Sequence, residues 1–261
     1  MDLGTLVGLG VGFGMVFLGI LFGGAGVFLY FDPNSILIVI GGSLGAMLVA
    51  SPMSRVLGLM SYVRHTLFVA DWKEEKMITD LVAFSERARR EGLLALEDNL
   101  DEVEDEFMRK GVQLVVDGTD PEVIKDILYT DLNQIQSRHE TGIQFFAIWA
   151  TIAPAFGMIG TLIGLIAMLV NIGGDTSIIG QGMSTALITT LYGSFFANLM
   201  LIPMQRKLED RDKAETRARE ITIEGILSIQ SGDNPRILLE KLVSFLPPKQ
   251  REAIRQESVR D

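Results

Sequence analysis

Residues 142–204 have the sequence GIQFFAIWATIAPAFGMIGTLIGLIAMLVNIGGDTSIIGQGMSTALITTLYGSFFANLMLIPM, with no lysine or arginine and a single acid, Asp175. At the N-terminal end, residues 1–52 form a second stretch of this kind, whose only charged side chains are Asp2 and Asp32. All 23 lysines and arginines of the 261-residue chain therefore lie in the two remaining blocks. Because a soluble fold distributes charge over every surface element, this segregation indicates an all-α membrane protein.

The two uncharged stretches contain four apolar windows, each long enough to cross a bilayer core once and too short to cross it twice. Turn residues interrupt each pair: Asp32-Pro33-Asn34 in the first and residues 171–175 in the second. We predict four transmembrane helices in two hairpins, with a cytoplasmic helical domain. The windows are Leu3–Phe31, Pro33–Ser54, Thr141–Gly174 and Thr176–Gln205.

Basic residues flank the windows on one side only, at Arg55, Arg64, Arg138 and Arg206, and the two hairpin tips have none. Positive charge stays in the cytoplasm, so both tips are predicted to face outward and both termini inward. The first helix lacks a basic segment before it and is expected to be retained rather than cleaved. The predicted domains are residues 1–54 (first hairpin), 55–143 (cytoplasmic helices), 144–205 (second hairpin) and 206–261 (cytoplasmic C-terminal helices).

The charged blocks show helical patterns with recognisable ends. Residues 75–91 have helical apolar spacing, and Gly92 follows as a C-cap. Asp120-Pro121-Glu122 is a typical helix start, and the apolar stripe after it leads into the third span. Charges at helical spacing over residues 206–230 continue the fourth span into the cytoplasm. Asn234-Pro235 predicts a last short helix.

Catalytic and ligand-binding motifs are weak in this chain. Residues 41–45, GGSLG, match the G-x-S-x-G elbow of serine hydrolases but lie in an apolar window, where small residues packing on a neighbouring helix are the better interpretation. No phosphate-binding glycine motif is complete, and two isolated histidines without cysteine predict no metal site. We predict no enzyme, no cofactor and no nucleic-acid partner.

Small and polar residues form stripes on the third and fourth windows. Gly182, Ala186, Thr190, Ser194 and Asn198 recur every fourth residue, and Ala153, Gly157, Thr161 and Gly164 form a similar face. Polar groups are costly against lipid, so these faces are predicted to turn toward a shared interior or an aqueous path. The alternative is that the hydroxyls bond back to carbonyls of their own helix.

No carboxylate, imidazole or amine lies at membrane depth in any window. A proton or sodium relay usually needs a titrating group there, so conduction would require a membrane partner that carries a buried acid. Pro154 and Pro203 interrupt the third and fourth windows, where each makes either a moving hinge or a static kink.

Several segments, in order and spacing, resemble the flagellar stator family MotA/PomA. Residues 154–165, PAFGMIGTLIGL, are similar to its third transmembrane helix, and residues 187–193, LITTLYG, to its fourth. Residues 89–97, RREGLLALE, resemble its rotor-contacting segment, and residues 1–3 and 35–39 also fit. The resemblance covers nearly the whole chain. It implies a bacterial inner-membrane subunit of a homopentamer, assembled around two copies of a MotB/PomB partner that supplies the ion-binding aspartate and anchors to peptidoglycan.

The resemblance also implies roles for single residues. Thr161, Thr189 and Thr190 would line the ion path, and Pro154 and Pro203 would be conformational prolines. The residues that would face the rotor protein FliG are Arg89 and Glu97, with Arg90 and Asp98 as auxiliaries. Ordinary solvated charge is the better interpretation of those two auxiliaries.

The transported ion is expected to be Na⁺ or H⁺, and a threonine at position 161 favours sodium, because hydroxyl oxygens suit a hard cation. Two alternatives remain open. An ExbB/TolQ-like energiser of an envelope process resembles the chain less well because those relatives have three spans. A structural membrane scaffold would conduct no ion at all.

Overall fold

The structure is a computed structural model that describes residues 2–24, 26–68, 72–173 and 176–257. No strand occurs among these residues. In chain order the helices are α1 (Leu3–Phe22), α2 (Pro33–Ile36), α3 (Gly42–Ala50), α4 (Met53–Leu57), α5 (Leu59–Leu67), α6 (Glu74–Glu91), α7 (Glu106–Val116), α8 (Pro121–Val170), α9 (Thr176–Phe196), α10 (Ile202–Ser231), α11 (Pro235–Val243) and α12 (Pro248–Glu257). Two π-helical turns, Leu37–Gly41 and Ala197–Leu201, join α2 to α3 and α9 to α10.

Four helices in the described part of the chain are long and apolar enough to cross a membrane. This confirms the predicted all-α fold with four spans. The third and fourth spans also extend beyond their apolar windows, since α8 has 50 residues and α10 ends at Ser231. At a rise of about 1.5 Å per residue, α8 is more than twice as long as a bilayer core is thick. The four helices that could cross the membrane comprise Leu3–Phe22, Val27–Ala50, Pro121–Val170 and Thr176–Ser231.

The first hairpin tip is longer than predicted. Helix α1 ends at Phe22, not at Phe31, because Gly24 and Gly26 adopt left-handed backbone angles (φ 72° and 81°) that stop a helix. Asp32 is the N-cap of the next helix: its carboxylate accepts the backbone N–H groups of Asn34 and Ser35, each at 3.2 Å. Hydropathy alone does not locate this tip, since the glycines that form it are as uncharged as the helix.

The chain divides into two compact units, residues 1–69 with 139–210 and residues 70–138 with 211–261. The first unit contains the spans, and its core is a cluster of aromatic side chains. The indole N–H of Trp149 donates to the hydroxyl of Ser43 at 3.0 Å, and the Trp149 ring lies 5.1 Å from that of Phe196. Ser43 is fully buried, and a Cβ on Gly42 would lie 2.4 Å from the Phe156 ring. The GGSLG motif is therefore a helix-packing surface.

The second unit has its own core, formed by apolar faces of α6, α7, α10 and α11 and by the start of α8. Gly92 ends α6 with φ 93°, and Asp120 caps α8 by accepting the Glu122 N–H at 3.0 Å. The predicted short helix at Pro235 is α11, capped by Asn234. These local start and stop signals are confirmed because capping depends on residues adjacent in sequence.

A single arginine links three segments of the second unit. The Arg219 guanidinium is 2.7 and 2.8 Å from the two carboxylate oxygens of Asp105 and 3.4 Å from the Glu215 carboxylate. It also lies 5.0 Å from the centre of the Trp72 ring and 4.8 Å from that of Phe107. Only 11% of the Arg219 side chain is exposed. Arg219 thus combines charged hydrogen bonds with two cation–π contacts at a largely buried position.

Candidate functional site

The third and fourth spans pack on each other along a contact, called the seam below, that leaves no room for a larger side chain. A Cβ on Gly164 would lie 2.4 Å from the Gly182 carbonyl oxygen and 2.7 Å from the Ala186 backbone nitrogen. At Gly193 the obstruction is the Ala153 carbonyl, 2.9 Å away. Backbone thus packs directly on backbone, which is how small residues hold membrane helices together. The predicted shared interior of these two helices is confirmed at Gly182 and Ala186, which are both buried.

The lower part of the predicted fourth-span stripe leaves the seam. Thr190, Ser194 and Asn198 are exposed, whereas Thr189 and Gly193 are buried. An α-helix has 3.6 residues per turn, so a strict four-residue repeat rotates about 40° further at every step. The contact therefore takes one step of three residues, from Ala186 to Thr189, before it continues to Gly193, and the polar end of the stripe turns outward.

Three threonine hydroxyls lie at this seam. The Thr161 hydroxyl is 2.5 Å from that of Thr190 and within 3.1 Å of the carbonyls of Gly157 and Ala186. Thr161 is half-buried and Thr190 exposed, so this pair lies at the open edge of the helix contact. A hydroxyl has one proton and two lone pairs, so a hydroxyl that donates to a carbonyl can still accept a cation. The pair is chemically suited to hold a small hard cation.

Thr189 occupies a different position in the seam. Its side chain is fully buried, and its hydroxyl lies 2.9 Å from the Thr185 carbonyl and 3.0 Å from the Ala186 carbonyl. A Cβ on Gly160 would lie 2.4 Å from the Thr189 side chain. Hydroxyls bonding back to their own helix, the alternative considered above, describe Thr189 fully, and Thr161 and Thr190 in part.

The two prolines have different surroundings. Pro154 lies within α8, which continues through it without a break. Pro203 follows the π-helical turn Ala197–Leu201, which supplies the extra residue that a helix needs where a proline ring displaces a carbonyl. A cavity of about 370 Å³ lies beside Pro203 and is lined by the α1 glycines Gly4 and Gly8. The fourth span thus has free volume at Pro203.

At its other end, the fourth span holds the tip of the first hairpin. The Tyr192 hydroxyl donates to the Tyr30 carbonyl at 2.5 Å and accepts the Asp32 N–H at 3.3 Å. The Thr185 hydroxyl is 3.5 Å from the Asp32 carboxylate. Sequence reasoning missed Tyr192 and Thr185, because such long-range pairs leave no periodic signal in either segment. Gly174 and Asp175, predicted for the second tip, lie outside the described residues.

The predicted rotor-contact residues lie on both sides of Gly92. Arg89 and Arg90 are in the last turn of α6, Glu97 and Asp98 are in the 3₁₀ segment Leu93–Glu102, and all four are exposed. Buried Leu96 in the same segment anchors it in the core of the second unit, so the charges beside it face outward.

Arg87 is the residue that sequence reasoning missed in this cluster. Its guanidinium lies 3.2 Å from the Glu91 carboxylate and 3.5 Å from that of Asp98, which bridges the two sides of the Gly92 break. The spacing of four between Arg87 and Glu91 is a signal that could have revealed half of this arrangement. The Asp98 contact depends on the chain reversal at Gly92.

Among the described residues, no group of three or more histidine, cysteine, aspartate or glutamate side chains could hold a metal ion. The polar groups at membrane depth in the seam are hydroxyls. The fold and this seam place the chain among polytopic, all-helical membrane proteins.

Residues 99–221 match the family model described as the MotA/TolQ/ExbB proton channel family, and residues 6–92 match Motility protein A N-terminal. Motility protein A of Borreliella burgdorferi is 46% identical over 97% of this chain and 97% of its own. Chemotaxis protein PomA of Vibrio alginolyticus is 40% identical over 94% and 96%. The flagellar MotAB stator complex from Bacillus subtilis matches with a TM-score of 0.88 at 32% identity, over 95% of this chain and 97% of the matched chain. The chain belongs to the MotA/TolQ/ExbB proton channel family.

Proposed function

We propose that this chain, a subunit of the flagellar motor stator, forms one wall of an ion path and converts ion flow into torque. The observation that carries the proposal is the Thr161–Thr190 hydroxyl pair, 2.5 Å apart at the open edge of the glycine seam. Two oxygens so placed can replace part of the hydration of a passing cation. We assign the path itself to Thr161 and Thr190, and give Thr189 the role of packing behind them.

The titrating group must come from another polypeptide. Asp2 caps α1 just before the first span, and Asp32 caps α2 within the first quarter of the second span, so both carboxylates already accept backbone N–H groups. We therefore propose a single-span MotB/PomB-type partner whose aspartate faces the hydroxyl pair, with several copies of this chain, five in the simplest arrangement, enclosing the partner. In this arrangement both termini are cytoplasmic in the bacterial inner membrane, and the second unit meets the rotor protein FliG.

Torque would arise when an ion binds at the partner's aspartate and biases motion of the ring around it. The glycine seam makes the third and fourth spans a single rigid pair. Pro203, with its π-helical turn and adjoining cavity, provides a position where the fourth span can bend. Pro154 is the corresponding proposed bend in the third span.

The function is tested by expressing the chain with a MotB-type partner in a cell that lacks its own stator. Restored swimming, with a speed that follows the sodium or proton gradient at fixed membrane potential, is the expected result. Expression of the chain together with the partner should also produce an ion leak that neither polypeptide produces alone. Absence of any leak would favour a structural scaffold.

Thr161→Ala removes one cation ligand from the proposed path. If the contact of this hydroxyl with the cation contributes as much as a hydrogen bond to a charged group, about 1.5–3 kcal/mol, the sodium concentration for half-maximal speed should rise at least about tenfold. Thr151→Ala is the matched control: this exposed threonine is on the same helix, with its hydroxyl 2.7 Å from the Ile148 carbonyl. A speed–sodium curve that Thr161→Ala leaves unchanged would remove Thr161 from the path.

Arg89→Glu reverses an exposed charge at the proposed rotor contact. Like charges brought together at an interface cost several kcal/mol, so swimming should be lost while the chain still reaches the membrane and binds its partner. Arg236→Glu, an exposed arginine in α11, is the control and should swim normally. Normal swimming of Arg89→Glu would contradict the rotor-contact assignment, and rescue by a compensating charge in FliG would support it.

A further inference from the structure

The segment after the second span has basic residues and no acids. Between Pro33 and Ala70 the chain contains Arg55, Arg64 and His65, and not one aspartate or glutamate. In this segment Ala50, the last residue of the second span, is separated from α4 by only Ser51 and Pro52. Helices α4 and α5 are thus connected directly to a membrane crossing.

One side of these two helices packs on the first unit. Val56, Leu59, Tyr62 and Val63 contact the aromatic core of the spans. The Tyr62 ring lies 6.0 Å from that of Phe145, and a Cβ on Gly142 would lie 3.1 Å from the Tyr62 ring. The segment is therefore held in place by protein on this side.

A second, neighbouring side is apolar as well, and within the described part of the chain nothing covers it. Met53 is 62% exposed, Leu57 76% and Met60 76%. Their spacing of four and three residues puts them on one side of the helical segment. A helix that packs on protein with one face and meets water with the other normally has polar residues on that second face. An apolar second face must instead lie against an apolar environment, either lipid or another protein surface.

The charged residues near this stripe indicate which of these environments it contacts. Arg55 and Arg64 are both exposed, and within the described residues neither is paired with a carboxylate. The Arg64 guanidinium lies 5.7 Å from the centre of the Phe68 ring, which is also exposed. Arg64 lies four residues after Met60 and continues the stripe, whereas Arg55 lies two residues from both Met53 and Leu57 and projects from another side. An apolar stripe that ends in a cation is the pattern of a helix at the headgroup boundary of a bilayer, where anionic lipids attract basic residues.

We propose that α4 and α5 form a lipid-binding surface, with Met53, Leu57 and Met60 in the acyl boundary and Arg64 on the phosphate of an anionic phospholipid such as phosphatidylglycerol. A second copy of the chain covering the same stripe would compete with this arrangement. The surface would fix the depth of the second span in the bilayer. It does not depend on ion conduction.

The chain contains no cysteine, so single spin labels can be placed without further changes. A nitroxide on Met60→Cys, in the full-length chain with its partner in lipid nanodiscs, should be reached by oxygen and shielded from a water-soluble nickel chelate. Ser61→Cys, the adjacent exposed position, should be reached by the chelate. A Met60 label reached by neither reagent would mean that a protein neighbour covers it. One reached by the chelate would mean that it faces water. Either result overturns the proposal.

Headgroup preference is tested by native mass spectrometry of the same complex, offered phosphatidylglycerol and phosphatidylcholine. A basic residue near a membrane contributes about fivefold to the binding of anionic lipid, so Arg64→Gln should lower the phosphatidylglycerol preference about fivefold. Arg236→Gln is the control and should leave that preference unchanged. Retention of phosphatidylglycerol at the unsubstituted level in the Arg64 variant would overturn the proposal. Neither readout measures ion flow, so this inference and the proposed function fail separately.

Discussion

Gly164→Ala is expected to abolish swimming and to lower the thermal stability of the membrane unit. The added Cβ would lie 2.4 Å from the Gly182 carbonyl oxygen and 2.7 Å from the Ala186 nitrogen. Both atoms belong to backbone, so no side chain can rotate away, and the third and fourth spans must separate. Overpacking of this kind costs about 3 kcal/mol. Separation would also pull apart the Thr161 and Thr190 hydroxyls, which lie on those two helices.

The matched control is Gly180→Ala, two residues before Gly182 in the same helix, α9. No atom lies within 4 Å of a Cβ built on Gly180. Alanine is the better helix former by about 1 kcal/mol, so this variant should be as stable as the unsubstituted chain or more so. Motility on soft agar and the melting temperature of the purified complex are the two measurements. Equal behaviour of the Gly164 and Gly180 variants would mean that the seam is looser than these distances require.

Arg219→Ala is expected to produce the largest loss of stability in the second unit. The substitution leaves the Asp105 and Glu215 carboxylates without their cation, and the exposed fractions of those side chains are only 26% and 18%. Breaking a buried ion pair by removing one partner costs about 3–5 kcal/mol. For a chain of this size that corresponds to a fall in melting temperature of at least about 6–12 °C. Trp72, whose ring the guanidinium contacts, makes the change visible in intrinsic fluorescence.

Lys125→Ala is the appropriate control, since it removes the same charge from an ion pair of the same unit that is exposed on both sides. The Lys125 ammonium lies 3.9 Å from the Glu122 carboxylate, and 48% and 80% of the two side chains are exposed. Exposed pairs of this kind contribute about 0–1 kcal/mol, so the melting temperature should hardly change. If the Arg219 and Lys125 variants melt at the same temperature, the Trp72–Arg219–Phe107 arrangement does not stabilise the unit as its geometry indicates.

Much of the fold was predictable because membrane insertion depends on local composition. A charged group in hydrocarbon is costly wherever it lies, so uncharged windows mark spans without knowledge of any contact. Caps such as Asp120 and Gly92 were predictable for a similar reason, since a capping residue acts on the backbone next to it. The predicted end of the first span was wrong because hydropathy does not distinguish an apolar helix from an uncharged, glycine-rich hairpin tip.

The threonine pair was only partly predictable. Helical spacing placed Thr161 and Thr190 on polar stripes, but a repeat of four could not indicate where the contact turns away from it. That depends on how far each helix is rotated in the seam, which Gly157 and Gly164 set by contact with backbone and Gly160 by contact with the Thr189 side chain. The same limit explains why Tyr192 and Arg87 were missed, since each acts through a partner that the fold brings close.

The amino-acid sequence by itself determined the number of the spans and the scarcity of titrating groups within them, from which the proposed need for a partner follows. All of these follow from where charge is missing. Only the tertiary structure decided which hydroxyls reach the open edge of the seam and which are sealed behind it. The reason is physical: the transfer of a segment into lipid depends on what that segment contains, whereas exposure within the seam depends on angles and distances between helices that composition does not encode.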